Sequence, residues 1–208
     1  MNLTSKAILL TSGILSSFMV LASSANISLT NDLVKGDVSL DAGASSLTGG
    51  DSQVSETQPH DDVGTFYFTA GGAHDASDHT SAGYIGLSVQ DTNEISPLQI
   101  GLGIRLYALD NNRGDKNNVA VATALGGWYR YTLPTANRLS IFASGYDAPT
   151  VLSVSWLDHM YTYDVRGEYM TTRHIRIYIG YGRIVSHYEN DDRVATSKGA
   201  SIGASVDF

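Results

Sequence analysis

The stretch Gln99-Ile100-Gly101-Leu102-Gly103-Ile104-Arg105-Leu106-Tyr107-Ala108 decides the fold. Ile100, Leu102, Ile104, Leu106 and Ala108 fall on one parity, and Gln99, Gly101, Gly103, Arg105 and Tyr107 on the other. A period of two is the signature of a strand with one apolar and one polar face, because successive side chains point to opposite sides of a sheet. The helical spacing i, i+3, i+4 does not fit.

The same alternation recurs outward from this stretch. Tyr161, Tyr163, Val165, Gly167 and Tyr169 alternate with Thr162, Asp164, Arg166 and Glu168. Ile175, Ile177, Ile179 and Tyr181 alternate with His174, Arg176, Tyr178 and Gly180. Ala200, Ile202, Ala204, Val206 and Phe208 alternate with Ser201, Gly203, Ser205 and Asp207. Looser versions bring the predicted strands to eight: 63–73, 81–91, 98–109, 119–132, 138–147, 160–171, 174–187 and 199–208. Most have the ~10 residues that a tilted membrane strand needs. The connections Asp91–Pro97, Leu133–Asn137 and Thr171–Arg173 are short, whereas His74–Thr80, Asp110–Asn118, Ala148–His159 and Tyr188–Lys198 are longer and polar. Short turns at one rim and long loops at the other are the habit of an outer-membrane barrel.

A soluble β-barrel would turn its apolar face inward. The polar face argues against that, since it carries Arg105, Arg130, Asp164, Arg166, Glu168, Arg176 and Asp207. An ordinary hydrophobic core cannot hold seven such ions, each costing several kcal/mol when unpaired. In an inverted barrel they can pair across a narrow lumen, with Gly101, Gly103, Gly180 and Gly203 leaving room for arginines. Trp128, Tyr129, Tyr131, Tyr161, Tyr169 and Tyr181 are expected to form interfacial girdles. The fold class read here is all-β, a small transmembrane antiparallel β-barrel. Eight strands from Gly64 onward are favoured, with ten as the alternative.

The N-terminus reads as an address. Lys6 precedes the nearly uncharged run Ala7–Ala22, and Ser23-Ser24-Ala25 follows with small residues, so residues 1–25 are expected to be a secretory signal peptide cut after Ala25. Removing them takes away one Lys and no acid, leaving 12 basic and 21 acidic residues and a net charge of -9. Residues 26–62 are read as an N-terminal extension or extra strand followed by a Ser/Gly/Asp-rich stretch, and 63–208 as the barrel. Val34, Val38, Leu40, Ala42 and Ala44 alternate with Lys35, Asp37, Ser39 and Asp41, which writes a ninth strand against the even number that single-chain bacterial barrels keep.

Composition excludes several functions. The 208 residues include no cysteine, which removes disulfides, thiolate metal sites and cysteine nucleophiles. Lys and Arg number 13 against 21 Asp and Glu, so no basic stripe for nucleic acid is expected. His74-Asp75 and Asp78-His79 form a His/Asp cluster of the kind that can bind a divalent ion. Asp158-His159 could orient a general base near Ser153 and Ser155. Both motifs are unspecific, and Gly101-Leu102-Gly103 lacks the following helix of a dinucleotide fingerprint. No catalytic, cofactor or metal site is assigned.

Several ordered motifs resemble the YfaZ family of outer-membrane proteins. These are Ser96-Pro97-Leu98-Gln99-Ile100-Gly101-Leu102-Gly103-Ile104-Arg105-Leu106-Tyr107, Arg130-Tyr131-Thr132-Leu133-Pro134, Tyr146-Asp147-Ala148-Pro149-Thr150-Val151-Leu152-Ser153, Arg166-Gly167-Glu168-Tyr169 and Ile177-Tyr178-Ile179-Gly180-Tyr181-Gly182. The resemblance spans roughly residues 63–208 and implies a small outer-membrane barrel without a particular activity. The strand ending at Phe208 looks like the signal read by the barrel-assembly machinery of Gram-negative bacteria.

The function expected is therefore a non-enzymatic, monomeric outer-membrane barrel with a filled polar lumen and a structural or surface-interaction role. Its partners would be outer-membrane lipid, lipopolysaccharide and the assembly machinery, with no cofactor. The rivals are a narrow ion-conducting channel, a barrel-embedded hydrolase and a soluble periplasmic β-protein. The ligand, physiological role, conduction and oligomeric state are not written in the sequence.

Overall fold

A computed structural model describes residues 23–30, 33–41, 65–77, 79–91, 96–111, 118–154, 157–188 and 193–208. The alternating stretches form strands: β1 (Ser24–Leu29), β2 (Leu33–Asp41), β3 (Thr65–Asp75), β4 (Thr80–Gln90), β5 (Leu98–Asn111), β6 (Asn118–Thr132) and β7 (Leu139–Ala148). A 3-10 turn (Thr150–Leu152) and the two-residue β8 (Ser153–Val154) follow, then β9 (Leu157–Thr172), β10 (Ile175–Tyr188) and β11 (Arg193–Asp207).

Every pairing is antiparallel. The order β5-β4-β3-β2-β1-β11-β10-β9-β7-β6 closes on itself through β5–β6 pairing, while β8 adds two residues beside Val121 and Ala122 of β6. Among the described residues, ten strands make the wall. Of the two strand counts the sequence left open, ten replaces the favoured eight, because β2 joins the wall and β1 joins with it. Ala25 pairs with Val206 and Val38, and Leu29 with Ile202 and Val34, so the β1–β2 hairpin bridges β11 to β3. With ten strands, Ser23 and Phe208 meet at one rim, where the Phe208 amide donates to the Ser23 carbonyl at 2.9 Å. The expected signal peptide lies mostly outside the described residues, as does the Ser/Gly/Asp-rich stretch.

The short-turn rim is stitched by backbone bonds from turn to turn. Thr132 N donates to Pro97 O at 2.7 Å, Met170 N to Arg138 O at 2.8 Å and Asp207 N to His174 O at 2.8 Å. The loop pattern needs one correction. β2 ends and β3 begins at this rim with 23 residues of sequence between them, so the connections at this rim are not all short.

The inverted reading holds. Leu102 (67% exposed), Ile179 (70%) and Ile202 (64%) point out of the barrel, with Ile85, Ile100, Ile104, Ile141 and Ile177 beside them. The partners of opposite parity, including Tyr107, Arg166, Glu168 and Tyr178, are buried. Only a lipid-like surround stabilises such an outer face, since in water it would be one continuous apolar patch. Of the residues expected in the girdle, Tyr129, Tyr131, Tyr169 and Tyr181 are exposed on the outer face. Trp128 does not join them. It shares the parity of Arg130, turns into the lumen, and stacks on Phe142 with ring centroids 5.8 Å apart.

Candidate functional site

The interior is the first place to look for chemistry, because the strands aim their charged residues there. Near the short-turn rim Arg176 is ion-paired to Asp207 on the neighbouring strand. Above it Arg130 Nε donates to Glu168 Oε2 at 2.8 Å, with Glu168 only 2% exposed. At mid-height Asp164 accepts from Arg166 Nε at 2.7 Å and from Lys35 Nζ at 2.9 Å. Lys35 lies on β2 and Asp164 on β9, so that pair spans the lumen. Arg166 also sits over the rings of Tyr178 and Phe142, at 4.5 and 5.0 Å from their centroids. These pairs satisfy one another's charge in a space that water barely enters, the condition under which buried ions are tolerated.

Arg105 is the exception to the expected ion pairing. Among the described residues no carboxylate reaches it. Its guanidinium instead lies 3.8 Å from the Tyr146 centroid and 4.4 Å from that of Tyr84, and Nη1 donates to Tyr107 Oη at 3.4 Å. The aromatic faces stand in for an anion. Gly86 makes the site possible, since a Cβ there would sit 2.9 Å from Arg105 Cγ.

Above Arg105 the lumen changes character, which the sequence reading missed. Leu33, Leu109, Ala120, Ala122, Ala124, Leu157, Met160 and Ile184 pack together there with Tyr107 and Tyr146. The barrel therefore has an ion-paired lower storey and an apolar upper storey toward the long loops. Small residues on β6 (Ala122 is fully buried) let the large ones cross the axis. A cavity of about 30 Å³ remains at the boundary, lined by Lys35, Tyr84, Arg105, Tyr107, Asp164 and Ile184 among others. It has room for a water or two, and for no larger ligand.

The two motifs that suggested chemistry do not assemble. Asp158 and His159 are consecutive in β9 but bond to different partners, at a register irregularity where Asp158 is skipped in the pairing with β10. Asp158 accepts from Thr150 Oγ1 at 3.1 Å, whereas His159 Nε2 lies 2.8 Å from Asp147 Oδ1. Ser153 donates to the Pro149 carbonyl at 3.2 Å, and Ser155 lies outside the described residues. His74 and Asp75 diverge because adjacent residues of a regular strand face opposite sides. His74 Nδ1 is 2.9 Å from Ser81 Oγ, while Asp75 Oδ1 accepts from the Ser77 amide and hydroxyl at 2.9 and 2.7 Å and shapes the β3–β4 turn. His79 takes a left-handed φ of 51° in that turn, and Asp78 lies outside the described residues. Among the described residues no group of three or more metal-ligating side chains comes together.

His159 instead belongs to an outward cluster near the long-loop rim. Its ring lies 5.9 Å from that of His187 and 5.8 Å from that of Tyr161. Tyr161 stacks on Tyr163 at 6.5 Å, and Tyr163 lies 6.3 Å from Tyr181. Arg193 Nη2 donates to Tyr161 Oη at 2.8 Å.

No curated protein matches the chain. A family model described as YfaZ precursor covers residues 62–208, the span of β3 to β11, with β1 and β2 outside it. An all-β wall, apolar outside and ion-paired within, fits a small outer-membrane barrel, and on that match the chain belongs to the YfaZ family.

Proposed function

We propose that this protein is an integral barrel of the Gram-negative outer membrane, closed to diffusion, whose role is structural or surface-interacting. One observation carries the reading. The outer face is apolar in all ten wall strands, while the lumen is occupied from rim to rim by ion pairs, aromatic rings and a small-residue apolar layer. Such a wall gains its stability from hydrocarbon outside, and such a lumen leaves no continuous water path for ions. Closure by ten strands widens the interior relative to eight, and Arg105, Arg166, Tyr146 and Tyr178 take up that width. Phe208, exposed at the outer face of the last strand, supports recognition by the barrel-assembly machinery. The closed wall supports a monomer.

The test is outer-membrane fractionation with gel mobility before and after boiling, followed by planar-bilayer recording of the purified protein. A heat-dependent shift in the outer-membrane fraction, without conductance steps, supports the reading. Release with the periplasm overturns the membrane assignment, and reproducible steps overturn the closed lumen in favour of a narrow channel.

A further inference from the structure

The outward cluster of β9, β10 and β11 has a composition that a lipid-facing wall does not require. His187 is the register partner of His159 on one side and of Arg193 on the other, so the three form one row across the sheet. Arg183 is likewise paired with Tyr163 on β9 and with Lys198 on β11. Its face follows from its neighbour. A Cβ on Gly182 would lie 3.2 Å from Asp164 Oδ2 inside the lumen, so Arg183 takes the outer face with Tyr181.

Depth gives these residues meaning. An apolar band about 25 Å tall is crossed by a strand tilted 35–45° in about 10 residues. On β10 such a span begins near Ile175 and ends near Val185. Ile177 and Ile179 then face hydrocarbon, Arg183 sits at its upper boundary, and His187, His159 and Arg193 stand at headgroup level. The Nε of Arg183 is buried without a hydrogen-bond partner. Among the described residues Asp147 is the carboxylate paired with this cluster, and His159 engages it at 2.8 Å. Among the described residues no carboxylate pairs with Arg183, and at that depth an arginine on the same face as Arg193 and two imidazoles favours an external anion.

We propose that this face is a binding site for the phosphorylated headgroup of an outer-leaflet lipid, the lipid A of lipopolysaccharide. Arg183 and Arg193 donate to the phosphate oxygens, His187 stands beside Arg193, and Tyr163 and Tyr181 flank the boundary between sugar and acyl chains. The proposal rests on the outer-membrane reading above and adds to it a ligand class and a place on the wall.

The experiment measures lipid A binding to the purified, heat-modifiable barrel in detergent, in parallel with and without EDTA. Wild type is compared with R183Q/R193Q, with R193Q alone, and with R138Q/R173Q at the opposite rim. About tenfold weaker binding is expected for R183Q/R193Q from the loss of two charge-assisted donors, with an intermediate loss for R193Q and none for R138Q/R173Q. Dephosphorylated lipid A should bind wild type as weakly as the double variant does, and millimolar inorganic phosphate should not compete. Binding within twofold of wild type in R183Q/R193Q overturns the site. So does binding that appears only without EDTA, because a cation bridging acidic loops would then hold the lipid. If R183Q/R193Q loses its heat-dependent shift, R193Q alone decides. Fractionation reads the outer-membrane assignment separately, so the two can fail independently.

Discussion

The Tyr178 hydroxyl, on β10, donates to Asn26 Oδ1 at 2.5 Å on β1, reaching across β11 inside the lumen. It also approaches the Ile27 carbonyl at 3.1 Å, and Asn26 Nδ2 donates onward to Asp37 Oδ2 at 2.8 Å. The N-terminal hairpin is thereby latched to the C-terminal strands by side chains as well as by the β1–β11 ladder. Gly203 is the window in β11 that lets the Tyr178 ring pass, since a Cβ there would collide with the ring and with the Ile27 carbonyl.

Gly203→Val is therefore expected to push Tyr178 off Asn26 and to destabilise the barrel by about 1–3 kcal/mol, the range for overpacking. Tyr178→Phe keeps the ring and loses only the hydrogen bonds, at a cost of about 1 kcal/mol. Urea titration followed by the unboiled gel band measures both. Equal midpoints for Gly203→Val and wild type would show that β1 closure does not depend on this latch.

How much of this was legible follows from what periodicity can say. β5 was readable because five apolar residues keep one parity without a break. The inverted sense was readable because Arg166 and Glu168 share the other parity in β9. β1 was not, because six residues at the junction with the leader leave too short an alternation, Asn26 and Ser28 against Ile27 and Leu29. Residue type alone suggests the girdle for Trp128, although its parity with Arg130 assigns it to the lumen. The apolar upper storey was half legible. Ala120, Ala122 and Ala124 share one face of β6, but their packing with Leu33 and Met160 depends on the barrel's closure and stagger. The His74-Asp75 pair misled because adjacency in a regular strand separates side chains, and the Asp158-His159 pair because each residue is engaged by its own partner, Thr150 and Asp147.

Glu168→Gln is expected to be costly. The carboxylate is buried at 2% exposure, and its loss leaves the Arg130 guanidinium with Gln99 Oε1 at 3.5 Å and the rings of Trp128 and Phe142. Breaking a buried pair from one side costs about 3–5 kcal/mol. Replacing both partners, as Glu168→Leu with Arg130→Met, should recover much of that loss, since an apolar pair of similar volume is often neutral. A double-mutant cycle in urea separates the two cases, and additive losses would mean that the pair is not coupled.

The outer face makes its own demand. Ile179 is 70% exposed and stands near the middle of the apolar band on β10. Ile179→Arg should cost about 2–4 kcal/mol in a bilayer, as a charge does at the midplane. Tyr181→Arg, closer to the boundary, should cost about 1 kcal/mol or less. Refolding into vesicles reads the difference. Equal tolerance at both positions would contradict a hydrocarbon surround and point back to a soluble barrel.

The site of leader removal is the last expectation, and here the strand ladder argues against the cut expected after Ala25. Ser24 pairs with Asp207 and Ser39, and Ala25 with Val206 and Val38. Ser23 adds three bonds at the rim. Its amide donates to Ser39 O at 2.7 Å, its carbonyl accepts from Phe208 N at 2.9 Å, and its hydroxyl accepts from Asp41 N at 2.7 Å. Removing residues 23–25 would take two of the six residues of β1 and unpin Asp207 and Phe208. Cleavage after Ala22, with Val20 two residues before it, leaves every one of these contacts and still ends the leader on a small residue. The mature protein is expected to begin at Ser23. Intact mass of protein extracted from the envelope distinguishes the two ends, and a chain beginning at Asn26 would mean that β1 is built with four residues, Asn26 to Leu29.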